Sequence, residues 1–208
     1  MLGPGGQKRR APGKPASGRE ARSTTVYTVA VAVGLRQGEI LALCWDDLKL
    51  EAGTLSVRGS LQWIDGHPPM TEPKTDRSRR TIKLPEVCID ALIVHREKQA
   101  LERAFVSESW QGEWDLVFAQ EDGSPLSRYA VTHRFQRILA SAEIPKRRFH
   151  DLRHTCATLL LAQGVPLRVV METLGHNQMS TTADLYSHAL PVLMADAAEK
   201  MNAALTAS

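Results

Sequence analysis

Apolar and polar positions change texture along the chain, and each change predicts an element. Val26–Val33 is an apolar run without polar relief, and its period does not choose between a buried helix and a strand. Ser23 or Thr24 offers a cap in front of it, and Gly34 a break behind it. Glu39–Leu43 begins a second helix, with Ile40, Leu43 and Cys44 inward. From Gly53 the pattern shortens to alternation. Thr54–Arg58, Gln62–Ile64 and Arg80–Leu84 (where Thr81 and Lys83 oppose Ile82 and Leu84) predict strands of a small antiparallel sheet.

Helical patterns then return. Pro85 opens a helix to about Phe105, with Val87, Ala91, Leu92 and Val94 as its apolar face. A short strand is expected at Leu116–Phe118. Ser127 caps a helix to about Ala142 that carries Arg134 and Arg137 on its exposed side. The stretch from Phe149 to Thr158 opens a helix closed by Gly164, Pro166–Leu174 is a short helix stopped by Gly175, and Ser180 or Thr181 caps one holding Leu185 and Tyr186. Pro191–Leu205 is a last helix, striped by Val192, Ala195, Ala198, Met201 and Leu205.

Composition narrows the class. The 208 residues are 43% hydrophobic and 24% charged, ordinary for a globular protein with a core. No apolar run reaches the ~18 residues of a membrane span. The net charge of +3 permits a nucleic-acid partner without demanding one. Cys44, Cys88 and Cys156 are far apart among apolar neighbours, the pattern of reduced, packed thiols in a cytosolic protein. Residues 1–22 are rich in Gly, Pro, Ala and basic side chains, and are expected to be a disordered basic tail before a domain over 23–208.

The candidate chemistry gathers on basic residues. His150 and Arg153 project from one helix face, an arrangement costly in a core and sensible around an anion, with phosphate the usual one. Arg36 sits between two apolar segments, with Glu39 as an obvious ion-pair partner. Lys74 lies in a charge-dense hairpin, Glu72 to Arg80, whose ordinary reading is a solvated turn. Lys146, Arg147 and Arg148 cluster just before the active helix, next to the proposed phosphate site, which favours contacts to a nucleic-acid backbone. A metal hydrolase on His150, His154 and His176 is disfavoured, because the helix lacks the Glu of His-Glu-x-x-His and Arg153 would repel a cation.

Gly-Leu-Arg36-Gln-Gly-Glu39, Lys74 in Lys-Thr-x-x-Ser, His150-Asp-Leu-Arg153-His154-Thr, Leu-Gly-His176 and Tyr186 occur together in this order and spacing. The set resembles the catalytic domain of the tyrosine recombinases, the phage-integrase family, over about Thr24 to Leu205. The resemblance implies a mainly α domain with a small antiparallel three-stranded sheet (α+β). It implies a site-specific recombinase or integrase that breaks and rejoins DNA through a 3′-phosphotyrosine, with no metal, cofactor or external energy. Tyr186 would be the nucleophile, His150 the general base, and Lys74 the general acid for the 5′-oxygen. Arg36 and Arg153 would hold the phosphate, His176 would add a hydrogen bond, and Glu39 would orient the arginine or the histidine. His154 is expected to pack or hydrogen-bond, and Tyr27 to be core. The implied partners are double-stranded DNA and further protomers, in a tetramer joined by the C-terminal helix, in the cytoplasm at the nucleoid. The family's upstream DNA-clamping domain is expected to be absent. A DNA-binding remnant without activity and a type IB topoisomerase are the neighbouring alternatives.

Overall fold

Val26, Val29, Ala30 and Val33 are buried on one face of helix α1 (Gly18–Val33) while Tyr27, Thr28, Val31 and Ala32 are half-buried, so the unrelieved apolar run is a helix with a buried stripe rather than a strand. The computed structural model describes residues 18–62, 70–71, 79–175, 194–195 and 198–206, with 18–23 and 70–71 as backbone alone. Because α1 begins at Gly18, the expected cap at Ser23 or Thr24 is corrected, and residues 18–22 belong to the helix; residues 1–17 lie outside the described residues. Helix α1 contacts α2 (Gln37–Leu41), α3 (Glu86–Val106), α4 (Arg128–Ser141) and α5 (Asp151–Ala162). It is the element on which the domain packs.

The alternating segments form the expected small sheet. Strands β1 (Leu48–Lys49), β2 (Thr54–Val57) and β5 (Arg80–Lys83) make a three-stranded antiparallel sheet in the order β1-β2-β5. Val57 stands opposite Arg80 and Leu55 opposite Ile82, which puts Leu55, Val57 and Ile82 into the core. A two-stranded ribbon pairs β3 (Ser60–Leu61) with β4 (Met70–Thr71). It precedes the expected strand at Gln62–Ile64, most of which lies outside the described residues.

Helix α3 turns a different face inward than its apolar spacing suggests. Cys88, Leu92, His95 and Gln99 are buried, while Val87 and Val94 are exposed. The two polar side chains are inside because they satisfy backbone groups there. Gln99 Nε2 donates to the Leu116 and Val117 carbonyls at 3.0 and 3.2 Å, and His95 Nε2 lies 2.7 Å from the Val117 oxygen. The Leu116–Phe118 segment therefore leans on side chains, with only an isolated antiparallel bridge, Cys44 to Leu116, in place of the expected strand.

After α5, Gly164 follows the helix end at φ +76°, and α6 (Leu167–Leu174) closes on Gly175. Cys156, Ala157 and Leu161 of α5 pack with Val170 and Leu174 of α6 in a second small core. Helix α6 also meets strand β5. Residues 194–195 and 198–206 are helical, with Met194, Met201 and Leu205 exposed. Among the described residues no helix is long and apolar enough to cross a membrane.

Candidate active site

The site is built where three segments distant in sequence meet the end of α6. Each contributes an arginine, and each arginine donates to a different carbonyl. Arg80 Nε donates to Thr173 O at 2.8 Å, Arg153 Nη2 to Leu174 O at 2.6 Å, and Arg36 Nη2 to Gly175 O at 3.0 Å. The last carbonyls of a helix have no intrahelical partner and carry its partial negative charge, so cations belong there. The residue that follows these carbonyls in the chain is His176.

Local sequence explains each placement. Arg36 is the N-cap residue of α2, in extended backbone at φ −67°, ψ 150°. Glu39 at the third helical position reaches back to the Arg36 backbone N–H at 2.9 Å, which is one half of a capping box. Its other oxygen accepts from Arg36 Nη1 at 2.8 Å. Arg153 is on the inner face of α5, 2% exposed, and its Nη1 also donates to Gly34 O at 2.7 Å. Helix α5 thus ties itself to the end of α1 and the end of α6 through a single guanidinium.

In the sequence Arg80 stands between a charged hairpin and a strand, and its place in this cluster is a finding of the structure. Its Nη1 and Nη2 lie 3.2 and 3.0 Å from the two Glu39 carboxylate oxygens, with both side chains less than a tenth exposed. Glu39, 7% exposed, therefore serves two arginines, and the geometry assigns it to them rather than to His150. Burial pushes its carboxyl up, but Arg80 and Arg36 outweigh that and hold it below the ordinary carboxylate value. Burial, then the charges of Arg36 and Arg80, bring Arg153 down to about 9, so it stays cationic at neutral pH. Three guanidiniums against one carboxylate leave the cluster positive by two charges, a field suited to a phosphate.

His150 stands exposed at the N-cap position of α5, one turn before Arg153, with no capping bond from its side chain. Partial desolvation lowers its pKa, and so do His154, Arg153, Arg148 and Arg36, which favours a neutral imidazole at pH 7. The His154 ring meets it edge-on at 4.9 Å and 84°. His154 packs as expected, but its buried Nδ1 has no hydrogen-bond partner. Lys146, Arg147 and Arg148 are exposed, and Arg148 is engaged by Asp151 through its backbone N–H at 2.8 Å and its Nη2 at 3.0 Å.

Two tyrosines are accounted for. Tyr27 donates to Val131 O at 2.8 Å beside the rings of Phe135 and Phe149, and burial pushes its hydroxyl up to about 12. Tyr129 is exposed and stacks on His133 at 6.0 Å. Lys74, His176 and Tyr186 lie outside the described residues.

The sequence profile of the phage integrase family matches residues 14–191. The chain is 33% identical over 192 residues to a "Tyrosine recombinase XerC-like" protein of Caldanaerobacter subterraneus, covering 87% of this chain and 49% of that one. It is 32% identical to the ICEBs1 integrase of Bacillus subtilis, over 86% of this chain and 48% of the relative. In fold it is similar to a Tn1549 transposon integrase solved with transposon right-end DNA, at TM-score 0.69 and 20% identity over 92% of this chain and 67% of that one. It is also similar to the XerA recombinase, at TM-score 0.66 and 22% identity over 86% of this chain and 57% of that one. The chain spans about half the length of these two curated relatives. Its match to the family profile over most of its residues, on a mostly helical fold with a small antiparallel sheet, makes it a member of the phage integrase family, the tyrosine recombinases.

Proposed function

We propose that this chain is the catalytic part of a site-specific DNA recombinase that cuts one strand by transesterification. The observation that carries the reading is the convergence of Arg36 and Arg153 on neighbouring carbonyls, Gly175 and Leu174, directly before His176. Two cations held by backbone at that spot form a preorganised seat for a phosphodiester at neutral pH.

In this reading the Tyr186 oxygen attacks the scissile phosphorus and its proton passes to His150, whose depressed pKa keeps it neutral and able to accept. The bond to the 5′-oxygen breaks, Lys74 protonates that oxygen, and the products are a 3′-phosphotyrosine and a free 5′-hydroxyl. Arg36, Arg153 and His176 stabilise the charge of the pentacoordinate phosphorane. Reversal with another strand's 5′-hydroxyl rejoins the DNA without hydrolysis. Lys146, Arg147 and Arg148 contact the flanking backbone, and the exposed Met201 and Leu205 dock the C-terminal helix on another protomer. The place of action is the nucleoid in the cytoplasm.

The test is incubation of the full chain with nicked duplex DNA in the presence of EDTA. A protein–DNA adduct that survives denaturant and is removed by protease is the expected product. Absence of an adduct at low salt and high protein concentration, where weak binding is saturated, contradicts the proposal.

A further inference from the structure

Arg80, with its side chain 8% exposed, is a cation that the transesterification steps above do not use. Its guanidinium is engaged on three sides: Nη1 and Nη2 on Glu39, Nε on Thr173 O, and one face against Gly175. A Cβ built at Gly175 would lie 2.9 Å from Arg80 Nη1 and 3.1 Å from its Cζ, so the close approach is available only to glycine. An ion pair needed merely to neutralise Glu39 would be redundant, because Arg36 already serves that carboxylate through Nη1 and its backbone N–H.

The second arginine changes what the first is free to do. With Arg36 alone, Glu39 would cancel its charge. With Arg80 present, the carboxylate is shared, and Arg36 keeps part of its positive field. The burial agrees: the Arg80 side chain is 8% exposed and that of Arg36 43%. The inner guanidinium holds the carboxylate, and the outer one remains accessible from solvent. Arg80 is also the first residue of β5, the strand that leads out of the 72–78 segment bearing Lys74. We infer that Arg80 is a positioning residue that fixes the root of the Lys74 segment, the Glu39–Arg36 pair and the end of α6 before His176 as one rigid unit.

This inference rests on the transesterification reading, and its test separates the two. Arg80→Lys and Arg80→Gln are made in the full chain. Each is followed by thermal unfolding, binding of a nicked duplex, single-turnover adduct formation, and hydrogen–deuterium exchange of peptides covering 167–175 and 79–84. Lysine keeps a charge for Glu39 but not the planar fork that reaches Thr173 as well. The expected result for Arg80→Lys is cooperative unfolding, DNA affinity within about threefold of the parent, faster exchange in both peptides, and adduct formation slowed roughly 100-fold, the scale of a misplacement near 1 Å. Parental exchange and rate in Arg80→Lys would overturn the inference. So would a rate that falls only in step with DNA binding, or loss of the unfolding transition in both variants, which reduces Arg80 to a structural ion pair. If the parent forms no adduct, the transesterification reading falls, and exchange alone decides whether Arg80 joins the two segments.

Discussion

Arg80 and Glu39 face each other as a two-pronged ion pair, Nη1 to Oε1 at 3.2 Å and Nη2 to Oε2 at 3.0 Å, across 41 positions of sequence. The pair is where the sheet meets the helical body, and Glu39 carries the constraint on to Arg36. Removing the carboxylate leaves two arginines crowded with a third and no anion among them. Glu39→Ala should destabilise the fold by about 3–5 kcal/mol, as does breaking a buried ion pair from one side. A chemical denaturation midpoint that moves by less than about 1 kcal/mol would show that backbone carbonyls alone hold the arginines.

The same carboxylate makes stability depend on pH. The folded-state pKa of Glu39 lies below its ordinary 4.5, so the stabilisation is complete above pH 4.5 and is lost as pH falls through the lower folded value. Unfolding measured from pH 7 to pH 3 should show the parent losing stability in that window. Glu39→Gln should start less stable and lose less there. Parallel curves for the two proteins would count against this assignment.

His150 and His154 give a second pH signature. The His150 pKa is held below 6.5 by partial desolvation first and by His154 next. If His150 takes the nucleophile's proton, single-turnover cleavage should rise with pH along a limb centred below 6.5 and be flat from there to pH 8. His154→Asn removes a repelling neighbour and should move that limb upward. A limb that stays in place in His154→Asn would mean that the edge-on contact is packing only.

Two glycines that end helices make a controlled comparison. Gly164 and Gly175 both have φ near +70°, at +76° and +68°. A Cβ at Gly164 meets nothing closer than Lys200 Nζ at 4.0 Å, whereas one at Gly175 runs into the Arg80 guanidinium. Gly164→Ala should cost only the left-handed backbone term, about 1–2 kcal/mol, with cleavage unchanged. Gly175→Ala should cost more and should slow adduct formation as well. Equal effects would separate Arg80 from the α6 end.

The elements were legible in proportion to how local their causes are. Alternation over residues 54–58 and 80–84 and the glycine and proline stops around α5 and α6 are local signals, and the strands and helices lie close to where they point. The helical state of Val26–Val33 was not decidable from its period, because the half-buried positions Tyr27, Val31 and Ala32 are as apolar as the buried ones and leave no polar face to report a period. The inward face of α3 was misread because His95 and Gln99 are buried by carbonyls of a segment about 20 positions later, which no spacing within the helix reveals. Arg36, Glu39 and Arg153 were singled out by their order and spacing, and the structure brings them together. Arg80 was missed, although a signal existed. If Thr81 and Lys83 face outward and Ile82 inward, a period of two puts Arg80 on the buried side, where an arginine needs a partner.

On the proposed mechanism, Tyr186 becomes covalently bonded to DNA at the site formed by Arg36 and Arg153. The most direct measurement is mass spectrometry of the protease-digested adduct formed on a nicked duplex in EDTA, alongside the Tyr186→Phe variant. The expected result is a nucleotide remnant on the peptide containing Tyr186, and no adduct from Tyr186→Phe, which still binds the duplex. A remnant on Tyr27, Tyr129 or any other side chain, or an adduct that persists in Tyr186→Phe, would contradict it.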